Sequence, residues 1–165
     1  MEGGTVRVFV YGTLKKGFAN HYLMQDGLHG VARFLTKGQT KKAYPLVVGT
    51  DAGIPFLLPL EGKGKQVHGE IYEVDHNVLS VLDELEGHPK WYKRTLCEII
   101  ATEKVSGIDA GDVVQCSAYF LTNFAQTFLS QEFRSEYTVQ EHNLTYTENS
   151  NRNKYCDVKS QSQEN

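Results

Sequence analysis

Val6-Arg7-Val8-Phe9-Val10-Tyr11-Gly12-Thr13-Leu14-Lys15-Lys16-Gly17 is the stretch on which the fold turns. Val8 to Tyr11 do not alternate with polar residues, so Val6 to Tyr11 reads as a strand buried on both faces. Gly12 and Thr13 then turn the chain. A glycine here permits dihedrals that a side chain forbids, or a close approach of backbone to a ligand. Successive N–H groups at such a turn can face one concavity and hold an anion or a polarised carbonyl oxygen. The same residues also suit a core strand followed by an ordinary turn.

Gly12 and Gly17 have the spacing of a phosphate loop. Phe18 and Ala19 stand where such a loop needs Lys and Ser or Thr, which excludes that mode of nucleotide binding. Downstream, Asn20 and His21 are placed either to reach back over the turn or to cap a short helix between Lys15 and Met24.

The chain has 165 residues, 40% of them hydrophobic, enough for one domain with its own core. Its net charge of −3 argues against a dedicated nucleic-acid binder. The apolar run Ile54 to Leu60 is too short to span a bilayer, and Glu2 with a short apolar run does not read as a signal peptide. Cys97, Cys116 and Cys156 are odd in number and have no metal-ligand spacing. They point to a reducing, cytoplasmic setting, in which the sequon Asn143-Leu144-Thr145 carries no sugar.

Working outward, Gly30 to Lys42 reads as a strand pair or one strand bent at Gly38. Tyr44 to Val48 reads as a short strand opened by Pro45. Asp51 to Gly53 signals a turn. Ile54-Pro55, between that turn and a buried run, is a candidate cis peptide. Val67 to Val74 reads as a strand with His68 and Glu70 on a solvated face. Trp91 to Thr102 and Val113 to Leu121 read as two more strands. Beyond Gln126 the aromatic residues Phe128, Phe133, Tyr137 and Tyr146, with Leu144, suit an extended segment over the core. Residues 1–148 are expected to form one domain, and 149–165 a disordered polar tail.

The one clear helix runs from His76 to Glu86, with Asp75 as N-cap and Gly87 as terminator. With Val78 at zero and about 100° per residue, Val81, Leu85, Leu82 and Leu79 span roughly −60° to 100°. Glu86, near 80°, falls inside that apolar stripe; Asp83 lies just beyond its edge and Glu84 opposite. A carboxylate there is disfavoured twice as an anion, by the negative end of the helix dipole and by burial. Such a group is suited to take up a proton and return it. The alternative is a frayed last turn with Glu86 in water.

Tyr11-Gly12-Thr13-Leu14, followed in order by Asn20-His21, Tyr44-Pro45-Leu46, Ile54-Pro55, Gly69-Glu70-Ile71-Tyr72, Leu82-Asp83-Glu84-Leu85-Glu86 and Tyr92-Lys93-Arg94, resembles the γ-glutamyl cyclotransferase-like family. Within it, the chain is most similar to the branch that acts on γ-glutamylamines. The resemblance covers roughly Val6 to Arg152. It implies an α+β fold, a small closed mixed β-barrel with a few short helices, which the strand-rich pattern accommodates without singling out. It implies that Glu86 is the catalytic base and that Tyr11 to Leu14 bind substrate through their backbone. Tyr92, Ile54 and Pro55 become possible pocket walls, though Tyr92 also suits a core aromatic.

The implied reaction is a cyclisation in which the substrate's own α-amine attacks its γ-carbonyl. It uses no cofactor or metal, and its partner is a small γ-glutamyl molecule, with neither nucleic acid nor membrane. A monomer is expected. Glutathione or γ-glutamyl amino acids as substrates, or a non-catalytic module that binds a small carboxylate, are the other readings of the same residues.

Overall fold

The computed structural model describes residues 4–49, 54–105, 107–124 and 126–138. The strands are β1 (Thr5–Val10), β2 (Ala32–Thr40), β3 (Leu46–Gly49), β4 (Ile54–Leu57), β5 (His68–Asp75), β6 (Tyr92–Ala101) and β7 (Val113–Leu121). The helix is α1 (His76–Glu86), and 3₁₀ turns occupy His21–Met24 and Gln126–Ser130. Five strands close a barrel in the order β1-β5-β2-β6-β7, and β3-β4 form a separate two-stranded sheet. The barrel is mixed, because β1 runs parallel to β7 while the other pairs are antiparallel.

Closure puts alternate residues on two different cores. Phe9, Ile71, Ile99, Val114, Cys116, Ala118 and Phe120 belong to one buried cluster. Val8, Val10, Tyr72, Val74, Tyr119 and Leu121 belong to the second, where α1 packs through Val78, Leu79 and Leu82. The unbroken apolar run of β1 follows directly: Val8, Phe9 and Val10 alternate between two cores, not between core and water.

Several details differ from expectation. Gly30 to Lys42 contains one strand, and its irregularity falls between Phe34 and Thr36. Gly38 is instead a packing glycine, since a Cβ there would lie 2.7 Å from Ile99 Cγ2. Ile54–Pro55 is not a cis bond; among the described residues the cis peptide is His88–Pro89. Pro55 lies within β4, opposite Val48, and an extended ladder position takes a trans bond. Glu70 is buried, not on a solvated face, because the loop after β1 folds over it. Phe128 and Tyr137 are buried, as an overlying segment requires, but Phe128 sits on a 3₁₀ turn. The turn at 51–53, Cys156, the sequon, Leu144, Tyr146 and the expected tail lie outside the described residues.

α1 keeps its expected bounds. Asp75 Oδ1 accepts from the Val78 amide at 2.9 Å, and its Oδ2 accepts from the Val31 amide at 2.8 Å. Gly87 ends the helix in the left-handed region at φ 67, and its N–H closes on the Asp83 and Glu84 carbonyls. The Val31 and Val78 amides hold the Asp75 carboxyl below its ordinary 3.8. A carboxyl depressed on folding adds stability above its unfolded value and loses it as pH falls through the folded one. Thermal melts from pH 6 to pH 2 are expected to show wild type losing more stability below about pH 4 than Asp75→Asn; parallel profiles would contradict this.

Candidate active site

β1 delivers Tyr11 to Leu14 to one end of the barrel, and the turn is tied down through its carbonyls. Gly12 O accepts from the Lys15 amide (3.1 Å) and Thr13 O from the Asn20 amide (2.9 Å). The Asn20 side-chain amide donates to Thr13 Oγ1 at 2.8 Å, and His21 Nδ1 lies 2.9 Å from Leu14 O. His21 donates there, so its proton is on Nδ1. Asn20 and His21 therefore do reach back over the turn. By contrast, the amides of Gly12, Thr13 and Leu14 have no protein acceptor among the described residues. Such successive amides are the donors that an anion or an oxyanion takes.

Gly12 does not have a positive φ. Its lack of a side chain matters for space, because a Cβ would lie 2.7 Å from Pro55 Cγ. The turn thus rests on β4. Glu70 secures the following residues. Its Oε1 accepts from the Lys16 amide at 3.1 Å and from the Tyr72 hydroxyl at 3.0 Å. Alternation along β5 puts Glu70 on the outer face, and the loop that covers it comes from a strand distant in sequence.

A cleft enclosing about 380 Å³ of empty space, its open mouth included, gathers all eight residues singled out above. Tyr11, Gly12, Thr13, Leu14, Ile54, Pro55, Glu86 and Tyr92 line it, with Phe9, Val10 and Tyr119. Glu86 is only 9% exposed, so the frayed-turn reading does not hold. Tyr92 serves both roles considered for it. It lines the cleft, it stacks on Phe56 at 6.0 Å, and its hydroxyl donates to Pro55 O at 3.1 Å.

Tyr11 donates its hydroxyl proton to the Tyr119 carbonyl at 2.5 Å. Burial, and then the nearby Glu86 carboxylate, push the Tyr11 phenol well above its ordinary range, so it stays protonated. Burial and the hydrogen bond to Asp83 push the Tyr119 phenol up as well. The sequence does not mark Tyr119 as a cleft residue. It sits in the apolar run of β7, and no local signal sends it toward the cleft. Among the described residues, no three His, Cys, Asp or Glu side chains converge in a metal-like cluster. A second cleft, more polar, is lined by Lys15, Lys37, His68, Glu70 and Glu136.

A barrel whose first strand ends in a donor-rich turn that shares a cleft with a buried glutamate defines a class, and sequence comparison agrees with it. The chain belongs to the γ-glutamyl cyclotransferase, AIG2-like family, whose sequence model matches residues 8–145. The rat γ-glutamylaminecyclotransferase is 42% identical over 146 residues, covering 88% of this chain and 98% of the relative. The human γ-glutamylaminecyclotransferase is 38% identical over 150 residues, with the same coverage. The crystal structure of a mouse AIG2-like protein superposes with a TM-score of 0.75 at 40% identity, over 81% of this chain and 88% of that one. Among the described residues no helix is long and apolar enough to cross a membrane.

The contact between turn and β4 can be tested directly. Gly12→Ala forces the turn and Pro55 apart, at about 1–3 kcal/mol, the usual cost of overpacking. Denaturant unfolding is expected to show that loss, with amide shifts in NMR spectra confined to Gly12–Leu14 and the start of β4. Unchanged stability and spectra would contradict the packing described.

Proposed function

We propose that this cyclotransferase acts on γ-glutamylamines, releasing 5-oxoproline and a free amine, with Glu86 as general base and then general acid. The observation that carries the reading is the polarity of the cleft. The Gly12, Thr13 and Leu14 amides and a buried carboxylate belong to the lining of the same cleft. A γ-glutamyl group has matching features, namely an anionic carboxylate, a carbonyl that becomes an oxyanion, and an α-ammonium that must lose a proton.

The steps use no protein nucleophile. Glu86 takes a proton from the α-ammonium, and the freed amine attacks the γ-carbonyl carbon. The turn amides stabilise the resulting oxyanion. The bond from that carbon to the leaving nitrogen then breaks as the nitrogen is protonated. Of the three protons on the α-ammonium, one remains on the lactam nitrogen and two reach the departing amine. Because nucleophile and electrophile share one chain, the site has only to fold the substrate on itself.

The names of the 42% and 38% identical relatives support γ-glutamylamines as the substrate class. Within it we favour γ-glutamyl-ε-lysine, the isopeptide left when transglutaminase-crosslinked proteins are degraded. The free, buried thiols of Cys97 and Cys116 fit a reducing, cytosolic setting, and we take the protein as a monomer acting without a cofactor. Burial pushes the Cys116 thiol up to about 12, which keeps it unreactive.

The test is 5-oxoproline release by the purified protein alone from γ-glutamyl-ε-lysine, glutathione and γ-glutamyl-alanine. The isopeptide is expected to be turned over best. Glu86→Gln is expected to lose about 10²–10⁴-fold in kcat while still binding 5-oxoproline. Preference for glutathione would overturn the substrate assignment, and full turnover by Glu86→Gln would overturn the mechanism.

A further inference from the structure

The end of α1 is held by side chains to which the chemistry gives no part. Asp83 lies one turn before Glu86, and positions three apart on a helix are neighbours. Both Asp83 carboxylate oxygens are engaged by the Arg94 fork: Nε donates to Oδ1 at 2.9 Å and Nη2 to Oδ2 at 3.1 Å. Tyr119 donates its hydroxyl proton to the same Oδ1 at 2.6 Å. Arg94 and Tyr119 face each other across β6 and β7. The Arg94 amide is fixed in turn by His88 Nδ1 at 3.0 Å. Tyr119 closes the circuit, since it lines the cleft with Glu86 and its carbonyl accepts from Tyr11.

Magnitudes separate two uses of such a cluster. Arg94 and Asp83 side chains keep 28% and 22% of their exposure, and pairs near solvent contribute little to stability. Placement is another matter, because a displacement of about 1 Å at a reacting group costs about 10²-fold in rate. A two-pronged guanidinium–carboxylate contact fixes angle as well as distance.

We propose that Asp83, Arg94 and Tyr119 form a positioning clamp that fixes the last turn of α1 and so aims Glu86 at the Gly12–Leu14 turn. The clamp rests on the reading of Glu86 as the base. None of its residues takes or gives a proton in the proposed chemistry; they act through the helix end.

The experiment measures kcat, KM, 5-oxoproline affinity and melting temperature for Arg94→Lys, Asp83→Asn and Tyr119→Phe, beside Glu86→Gln. Lys keeps the charge of Arg but not its fork. Phe keeps the ring of Tyr119 but cannot reach Asp83. All three are expected to lose about tenfold or more in kcat, a fraction of the rate that hangs on correct placement. KM, product affinity and melting temperature are expected to stay near wild type. Wild-type kcat in the three variants beside an inactive Glu86→Gln would overturn the clamp alone. So would kcat losses matched by equal losses of product affinity and melting temperature, which mark a merely structural role. An active Glu86→Gln would overturn the reading of Glu86 and the clamp with it.

Discussion

A carboxylate lodged in the buried arc of a helix is the constraint that orders the rest of this molecule. Glu86 is buried at the carbonyl end of α1, where water does not surround it. Such a side chain turns to water unless the structure prevents it. Here Gly87 caps the helix in the left-handed conformation, and Asp83 ties the same turn to β6 and β7. The buried positions of α1, Val78, Leu79, Leu82 and Glu86, cover an arc of about 100°. Glu86 lies within it, while Val81 and Leu85 are only partly covered. The fold thus spends a core position on an ionisable group.

The turn that shares the cleft with Glu86 obeys a complementary rule. Backbone groups out of water are normally paired. In the turn after β1, the carbonyls of Gly12, Thr13 and Leu14 have donors from Lys15, Asn20 and His21, yet the three amides have no protein acceptor among the described residues. Side chains remote in sequence maintain this asymmetry. Glu70 from β5 secures Lys16, and Pro55 from β4 supports Gly12. Lys15 Nζ donates to Tyr137 O at 2.7 Å, which draws the segment after β7 onto the same loop. The loop is therefore fixed from three directions, as a site that must not reorganise during reaction requires.

Local signals carried much of this in the sequence. The bounds of α1, with Asp75 and Gly87 at its ends, follow from capping chemistry that acts within a few residues. The inward lean of Glu86 follows from helical periodicity alone. The double burial of β1 is legible in Val8 to Tyr11, because a strand without polar alternation has no solvent face. The turn with Glu86, Tyr92, Ile54 and Pro55 was assembled by family resemblance, and the cleft brings those residues together. What was not legible depends on register between distant strands. Glu70 reads as a surface residue until the loop covers it, and Tyr119 reads as core until β7 lies beside β6 and Asp83. Gly12 had two plausible reasons to be glycine, and the one that applies, the Pro55 ring, needed the position of β4. Closure of the barrel is likewise a property of pairing order, which composition does not contain.

The central claim is a geometric one: γ-glutamyl chemistry takes place between the turn amides and Glu86. A crystal structure of the protein with 5-oxoproline tests it most directly. The account predicts product in the first cleft, its oxygens on the amides of Gly12, Thr13 and Leu14 and its lactam nitrogen within hydrogen-bond reach of Glu86. Product seated instead among Lys15, His68 and Glu136 in the second cleft, or bound with Glu86 turned to solvent, would contradict it.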